Sequence, residues 1–495
     1  MLVDLRPHAR LRGTTPVDLT TAVTPVLEAL GEDDADLDRV RVVCDWVQYK
    51  QSFRDVVDVR PILSCDGSSG SVPTPTPISV RDDDLEVAVD LRRSGGVALK
   101  ELTAARLGAD PGARVHLEDW GPGSRSCIWD FNALYWSHLR LWEEATGQSY
   151  EQALPGGESD ARNRDGARAL IDDLFEVWDG LLASGALPDQ LYVVELGVGN
   201  GSQARVFLDE FRARDRAHGR GYYRRLHYLM CDYSQHVLDL ARATVAGHRD
   251  HVSSFVLDAT RPRTSLGFLT VKVFLVYISN VYDNLPTDEV AQLGGRTYCV
   301  QTRAHLPAAP AAEIAAQVGA EPCELPGLVR KLLRLGPELL VDAAPAHIPD
   351  LAAAVAFWRR VWAEIRLEER YVPLGGLDLY ALAPGVSGEM LRPLLESGAD
   401  LRMHVSNGAL ASFVDTLPLL HPYGKLVCHD LFVTETQAYR THFRGPGKYD
   451  GSVVNWVNGR LLAHVARRRG FDVQYAPFAH RSGGNIVTMS AQVMD

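Results

Sequence analysis

Paired cysteines are missing from this chain. Its seven cysteines, Cys44, Cys65, Cys127, Cys231, Cys299, Cys323 and Cys428, are scattered, with no C-x-x-C pair and an odd total. That speaks against a disulfide framework and against a structural zinc site, and it fits a reducing compartment. No motif requires a metal. Long apolar runs are absent too. Nothing approaches the ~18 residues of a membrane helix, and the start, Met-Leu-Val-Asp-Leu-Arg-Pro-His, has no apolar h-region. A cytoplasmic location away from any membrane is expected. Positive charge is in deficit, with 51 Lys and Arg against 63 Asp and Glu and a formal net charge of −12. The long-range field repels polyanions, so nucleic acid is disfavoured as a partner, even with a local basic stretch at Arg212–Arg225. Apolar residues are plentiful: 46% of 495 residues, enough for a large core and two or three domains.

Residues 191–201, Leu-Tyr-Val-Val-Glu-Leu-Gly-Val-Gly-Asn-Gly, are the most informative stretch. The apolar run reads as a buried strand, and Gly197, Gly199 and Gly201 permit a tight turn into a helix beginning at Ser202 or Gln203. Dinucleotides and S-adenosylmethionine (SAM) both bind such elements. A dinucleotide turn wants its third glycine three places after Gly199, where Ser202 stands, so an NAD-dependent oxidoreductase is the weaker reading. With Glu195 ending the strand, the E/D-x-G-x-G-x-G form resembles motif I of class I SAM-dependent methyltransferases. There the resemblance implies that the acid organises the loop near the methionine amino group.

The following segments suit a nucleoside site. Leu226–Asp232 reads as a second strand, and Asp232, with Tyr233 beside it, can accept hydrogen bonds from both ribose hydroxyls. The alternative is that Asp232 only caps the helix starting near Ser234. A third strand, Phe255-Val-Leu-Asp258-Ala259-Thr, places Asp258 where SAM enzymes read the adenine amino group. A fourth, Val271–Ile278, ends in Ser279-Asn280. Polar residues at the carboxyl ends of four strands predict a doubly wound α/β sheet with its crevice on that edge.

Ser279-Asn-Val-Tyr-Asp-Asn-Leu-Pro286 resembles the N-E-h-h-D-x-L-P segment of MidA-type enzymes, bacterial relatives of the mitochondrial complex I assembly-factor arginine methyltransferases. His404-Val-Ser-Asn-Gly-Ala-Leu-Ala-Ser-Phe-Val resembles their helix before strand five, Lys425-Leu-Val-Cys-His-Asp430 that strand, and Ala438-Tyr-Arg-Thr-His442 their A-Y-R-x-H segment. The resemblance covers roughly residues 190–290 and 400–475. It implies a class I methyltransferase (Rossmann-like) fold, a doubly wound seven-stranded sheet with an antiparallel closing strand, here Phe471–Pro477 with Ile486–Val493 around Ser482-Gly-Gly. It also implies methyl transfer from SAM to a nitrogen or oxygen of a protein, peptide or small-molecule acceptor. Val281 is read at that family's Glu and Asp430-Leu431-Phe432 at its Asp-Tyr-Gly. A SAM-fold binding or assembly protein that transfers no methyl group is therefore the alternative.

The remainder divides into an N-terminal α/β accessory domain (1–120), a helical cap (121–190), the SAM-binding core (191–294 and 401–495) and an inserted substrate lid (295–400). A binding or dimerising role for 1–120, as in a homodimer, stands beside a purely structural one. In that domain Val17–Leu30 and Asp36–Tyr49 have helical spacing, Ser64–Pro77 is a loop, and Leu85–Asp90 alternates as a strand. In the cap, an aromatic helix runs from Trp129 through Trp142, and Tyr150–Asn163 is a polar loop. Tyr135, Trp136 and Tyr150 are substrate-pocket candidates, since aromatic faces suit a sulfonium or a cationic substrate. Tyr282 and Asp283 join them. In the lid, Glu364, Glu368 and Glu369 cluster around a helix bearing Trp358 and Trp362; a solvated face is the plainer reading, a guanidinium clamp the sharper one. His429 and Asp430, ending strand five, are the candidate catalytic residues for deprotonating a nucleophile.

Overall fold

The computed structural model describes residues 2–5, 20–33, 35–45, 51–64, 84–108, 113–150, 164–396, 399–441, 445–479 and 485–494. Expectations for residues 17–19, 65–77 and 151–163, for His442 and for Ser482-Gly-Gly lie outside them. The chain is mixed α/β.

A seven-stranded sheet carries the glycine turn. In chain order its strands are β1 (Leu191–Leu196), β2 (Leu226–Asp232), β3 (Val252–Val256), β4 (Val273–Ser279), β5 (Leu420–Asp430), β6 (Phe471–Pro477) and β7 (Val487–Val493). Across the sheet the order is β3-β2-β1-β4-β5-β7-β6. Only β7 runs against its neighbours, pairing antiparallel with both β5 and β6. Strand period 2 divides the side chains. Val193, Tyr228, Tyr277 and Val427 pack on one face, with helices Arg164–Ala183, Ser202–His218 and Gln235–Thr244, while Val194, Cys231, Ile278 and Cys428 pack on the other, with helices Asn407–Thr416 and Gly459–Arg468. Trp178, fully buried on the first face, is worth about 3–5 kcal/mol against truncation to Ala.

A second, ten-stranded sheet takes strands from the first 122 residues and from residues 289–404. Its main path runs Leu2–Leu5, Val40–Asp45, Asp84–Asp90, Val57–Ile62, Arg366–Pro373, Arg296–Pro307, Glu289–Leu293 and Leu401–His404. The sheet thus runs unbroken through the segments expected as accessory domain and lid, joined where Val57–Ile62 pairs with Arg366–Pro373 at Ile62 and Tyr371. The two sheets meet through the short connection 280–288, between β4 and Glu289–Leu293.

Three local expectations are corrected. Of Asp36–Tyr49, the described part, residues 36–45, is not an α-helix: a short 3-10 turn, Leu37–Arg39, leads into strand Val40–Asp45, whose β-branched run is buried on both faces, and residues 46–49 lie outside the described residues. The aromatic helix is two helices, Cys127–Ser137 and Leu139–Thr146, broken at His138. Glu368 and Glu369 do not lie around a helix or on a solvated face. They sit on strand Arg366–Pro373 after helix Leu351–Glu364, and Glu369 is buried. There its carboxylate receives Arg54 at 3.0 Å and both ends of the Arg402 guanidinium at 2.8 and 2.9 Å, and Arg402 also reaches Glu289 at 2.6 Å. The guanidinium partners are the chain's own.

Candidate functional site

The carboxyl ends of β1, β2, β4 and β5 form one edge. Gly197 N–H donates to Cys231 C=O at 2.8 Å and Asn280 N–H to His429 C=O at 3.0 Å, so the loops leaving β1 and β4 start from one shelf. Gly197, Gly199 and Gly201 all have left-handed φ, at 76°, 55° and 78°. Each is also crowded. A Cβ on Gly197 would overlap Val281, one on Gly199 would come 2.7 Å from the Tyr150 hydroxyl, and one on Gly201 would come 2.8 Å from Ala241 Cα. Sterics and dihedrals together demand glycine here.

Asp232 ends β2 beside that turn. Its Oδ2 accepts Gly199 N–H at 3.2 Å and its Oδ1 accepts Ser234 N–H at 3.1 Å, so it braces the turn across 33 residues of chain. Burial raises its pKa to about 6, against the backbone donors that lower it. The helix after it is capped by Ser234, whose hydroxyl accepts Val237 N–H, so the cap reading belongs to Ser234. Glu195 behaves differently from the loop-organising expectation. It is 3% exposed, its Oε2 accepts the Tyr228 hydroxyl at 2.7 Å, and burial raises its pKa to about 8. It is a neutral acid at neutral pH. Tyr233 is 45% exposed on the rim, with Asp258 and Asp130 close enough to raise its pKa further after burial. Asp258 is exposed beside half-buried Ala259 and accepts Thr260 N–H and Oγ1–H, both at 2.8 Å. Asn280 sits at φ 52°, another left-handed residue at this edge.

Tyr150, above Gly199, is fixed by its N–H to Glu143 Oε1 at 2.9 Å and by an edge contact with Trp136 at 5.8 Å. From Trp136 the ring contacts continue to Tyr135, Trp142 and Trp358, at 4.9, 5.4 and 4.9 Å. Tyr135 is not in the crevice. It is buried, and its hydroxyl and Trp142 Nε1–H both donate to Asp450 Oδ2 at 3.1 Å.

The proposed catalytic pair is occupied with structure. Asp430 is fully buried. Its Oδ2 accepts the N–H groups of Val281, Tyr282 and Asp283 at 3.2, 2.8 and 3.4 Å, and its Oδ1 accepts Leu431 N–H at 2.7 Å. It shapes the turn after β4. Burial raises its pKa to about 6, and burial together with the Asp430 charge pushes the Asp283 carboxyl well above the usual range. His429 Nδ1 meets Thr488 Oγ1 at 2.9 Å on β7, with its ring between Tyr277 and Phe478. Tyr282 and Asp283, expected in a substrate pocket, are buried at 2% and 6% exposure. The motif alignment also shifts. Counted back from Asp283-Asn-Leu-Pro286, the glutamate place of N-E-h-h-D-x-L-P falls on Asn280, and Val281 takes an apolar place against Gly197.

The sequence matches no family model and no curated protein. Among solved structures the chain is similar to a COG1565 superfamily protein of Burkholderia thailandensis, described as a candidate methyl transferase and bound to S-adenosyl-homocysteine. Identity is 14%, over 75% of this chain and 88% of that one, with a TM-score of 0.43. It is similar also to the glycopeptide N-methyltransferase MtfA, at 13% identity over 68% of this chain and 91% of that one, TM-score 0.27. A third is the CcbJ methyltransferase of Streptomyces caelestis, at 10% identity over 63% and 92%, TM-score 0.27.

Three residues of the site escaped the sequence reading. Asp130, one place after Trp129, lies close enough for its charge to help raise the Tyr233 pKa. Asn132 ties helix Cys127–Ser137 to the turn after β4, donating from Nδ2 to Asn284 C=O at 2.8 Å and accepting Val453 N–H at 2.9 Å. Asp450 has the one local signal, an Asp-Gly pair between short strands, which marks a hairpin. Among the described residues no three His, Cys, Asp or Glu side chains stand together as a metal site, and no helix is long and apolar enough to cross a membrane.

Proposed function

We propose that this chain is a class I SAM-dependent methyltransferase, acting on a nitrogen or oxygen of a protein, peptide or small-molecule acceptor. The observation that carries the reading is the combination, on one sheet edge, of three crowded left-handed glycines after β1 with a carboxylate ending β2. A single antiparallel strand in the seven-stranded order supports it. The residues fit the cofactor. The turn offers bare backbone where any Cβ would collide, and Asp232, ionised above about pH 6, is an acceptor for paired hydroxyls. Tyr233, Asp258, Ala259 and Asn280 complete the rim we assign to it. Bound there, SAM would supply an electrophilic methyl on a sulfonium. The chain's own part is placement: Tyr150 and Trp136 cover the turn and keep water from it, and the 295–400 segment serves as lid over the acceptor.

The alternative, a SAM-binding protein without transfer, is favoured by one observation: Asp430 is fully buried, with both oxygens accepting backbone N–H groups. Incubation with methyl-labelled SAM and an extract of the source cells separates the two. Label in a protein or small-molecule fraction supports transfer and identifies the acceptor class. SAM binding with no labelled product supports the alternative.

A further inference from the structure

Gln203 heads the apolar stripe of helix Ser202–His218, one turn before Phe207 and two before Phe211, where the 3.6 period asks for an apolar side chain. It is 7% exposed, and its Oε1 has no hydrogen-bond partner among the described residues. Side chains in a first helical turn point back toward the helix N-terminus. Here that end is Gly201, which offers no side-chain cap. A buried acceptor left unpaired costs free energy, so the position makes sense if a donor arrives with a ligand. The donor is of a definite kind. Motif I resemblance assigns an acid, Glu195, to the amino end of the cofactor, yet Glu195 is turned to Tyr228 and is neutral at neutral pH.

Resting on the methyltransferase reading, we infer that Gln203 is a cofactor-positioning residue, its amide oxygen accepting from the α-ammonium group of the methionyl portion of SAM. The amide takes the place that Glu195 leaves.

The test compares two ligands by calorimetry: S-adenosylhomocysteine, which carries the amino-acid portion, and 5′-methylthioadenosine, which lacks it. Gln203→Leu should weaken S-adenosylhomocysteine about tenfold to a hundredfold, the scale of one hydrogen bond to a charged group, and leave methylthioadenosine unchanged. The thermal midpoint of the ligand-free variant should hold or rise, because an unpaired buried acceptor is gone. A packing role would lower it. Gln203→Met gives the same readout with a more adaptable side chain. Unchanged S-adenosylhomocysteine affinity, or an equal loss for both ligands, overturns the inference while the methyltransferase reading stands. Wild-type protein that binds neither ligand overturns both.

Discussion

Glu195 separates what a residue is from where it points. Its folded-state pKa is raised from 4.5 to about 8 by burial. The stability contributed by this acid is therefore present in full below about pH 4.5 and lost as pH rises through about 8. Glu195→Gln keeps an acceptor for the Tyr228 hydroxyl and removes the titration. Thermal melts from pH 5 to about 9 should show the wild type losing midpoint relative to Glu195→Gln as pH rises; parallel curves would refute a neutral Glu195. The glycines were legible in sequence because their constraint is local: three left-handed positions in five residues leave a spacing. The direction of Glu195 was not, because it depends on a tyrosine on the neighbouring strand, and the burial of Asp430 under the turn after β4 likewise depends on residues about 150 places away.

Among the elements, the hairpin of Gly447–Tyr449 and Ser452–Val454 ties helices Cys127–Ser137 and Leu139–Thr146 to helix Leu351–Glu364. At its tip, Asp450 takes Tyr135 O–H and Trp142 Nε1–H on its side chain, and its C=O takes Trp362 Nε1–H at 2.7 Å. Behind it, Lys448 Nζ donates to the carbonyls of Trp362, Ala363 and Ile365 at 2.7, 3.0 and 2.8 Å, closing the C-terminus of helix Leu351–Glu364. Asp450→Ala orphans two buried donors and should cost about 2–6 kcal/mol at roughly 1–3 per donor, read as a lower urea midpoint. An unchanged midpoint would mean that the hairpin does not hold these helices together. The closing strands β6 and β7 and helix Gly459–Arg468 were read nearly to the residue, since alternation and a C′ glycine bound them. The break at His138 and the strand at Val40–Asp45 were not. Helical spacing over a dozen residues also fits a strand buried on both faces.

Across the whole molecule, the unforeseen feature is the continuous second sheet. Strand pairing between residues 57–62 and 366–373 spans some three hundred residues and leaves no local pattern, so separate accessory and lid segments were the natural reading. Its centre is the Glu369 cluster, where Arg54, Arg60 and Arg402 all ion-pair with one buried carboxylate; removing one partner from such a buried set generally costs about 3–5 kcal/mol. The first sheet was foreseeable because four of its parallel strands carry a polar residue at or just beside their carboxyl ends, Glu195, Asp232, Asp258 and Ser279. The claim that this edge is a SAM site is tested most directly by titrating the purified protein with S-adenosylhomocysteine and, separately, with NAD, for wild type and Asp232→Ala. The expected result is saturable binding of S-adenosylhomocysteine and none of NAD, with Asp232→Ala weakening the former by on the order of 1.5–3 kcal/mol through loss of a charged acceptor. Tighter binding of NAD, or S-adenosylhomocysteine affinity indifferent to Asp232, would contradict it.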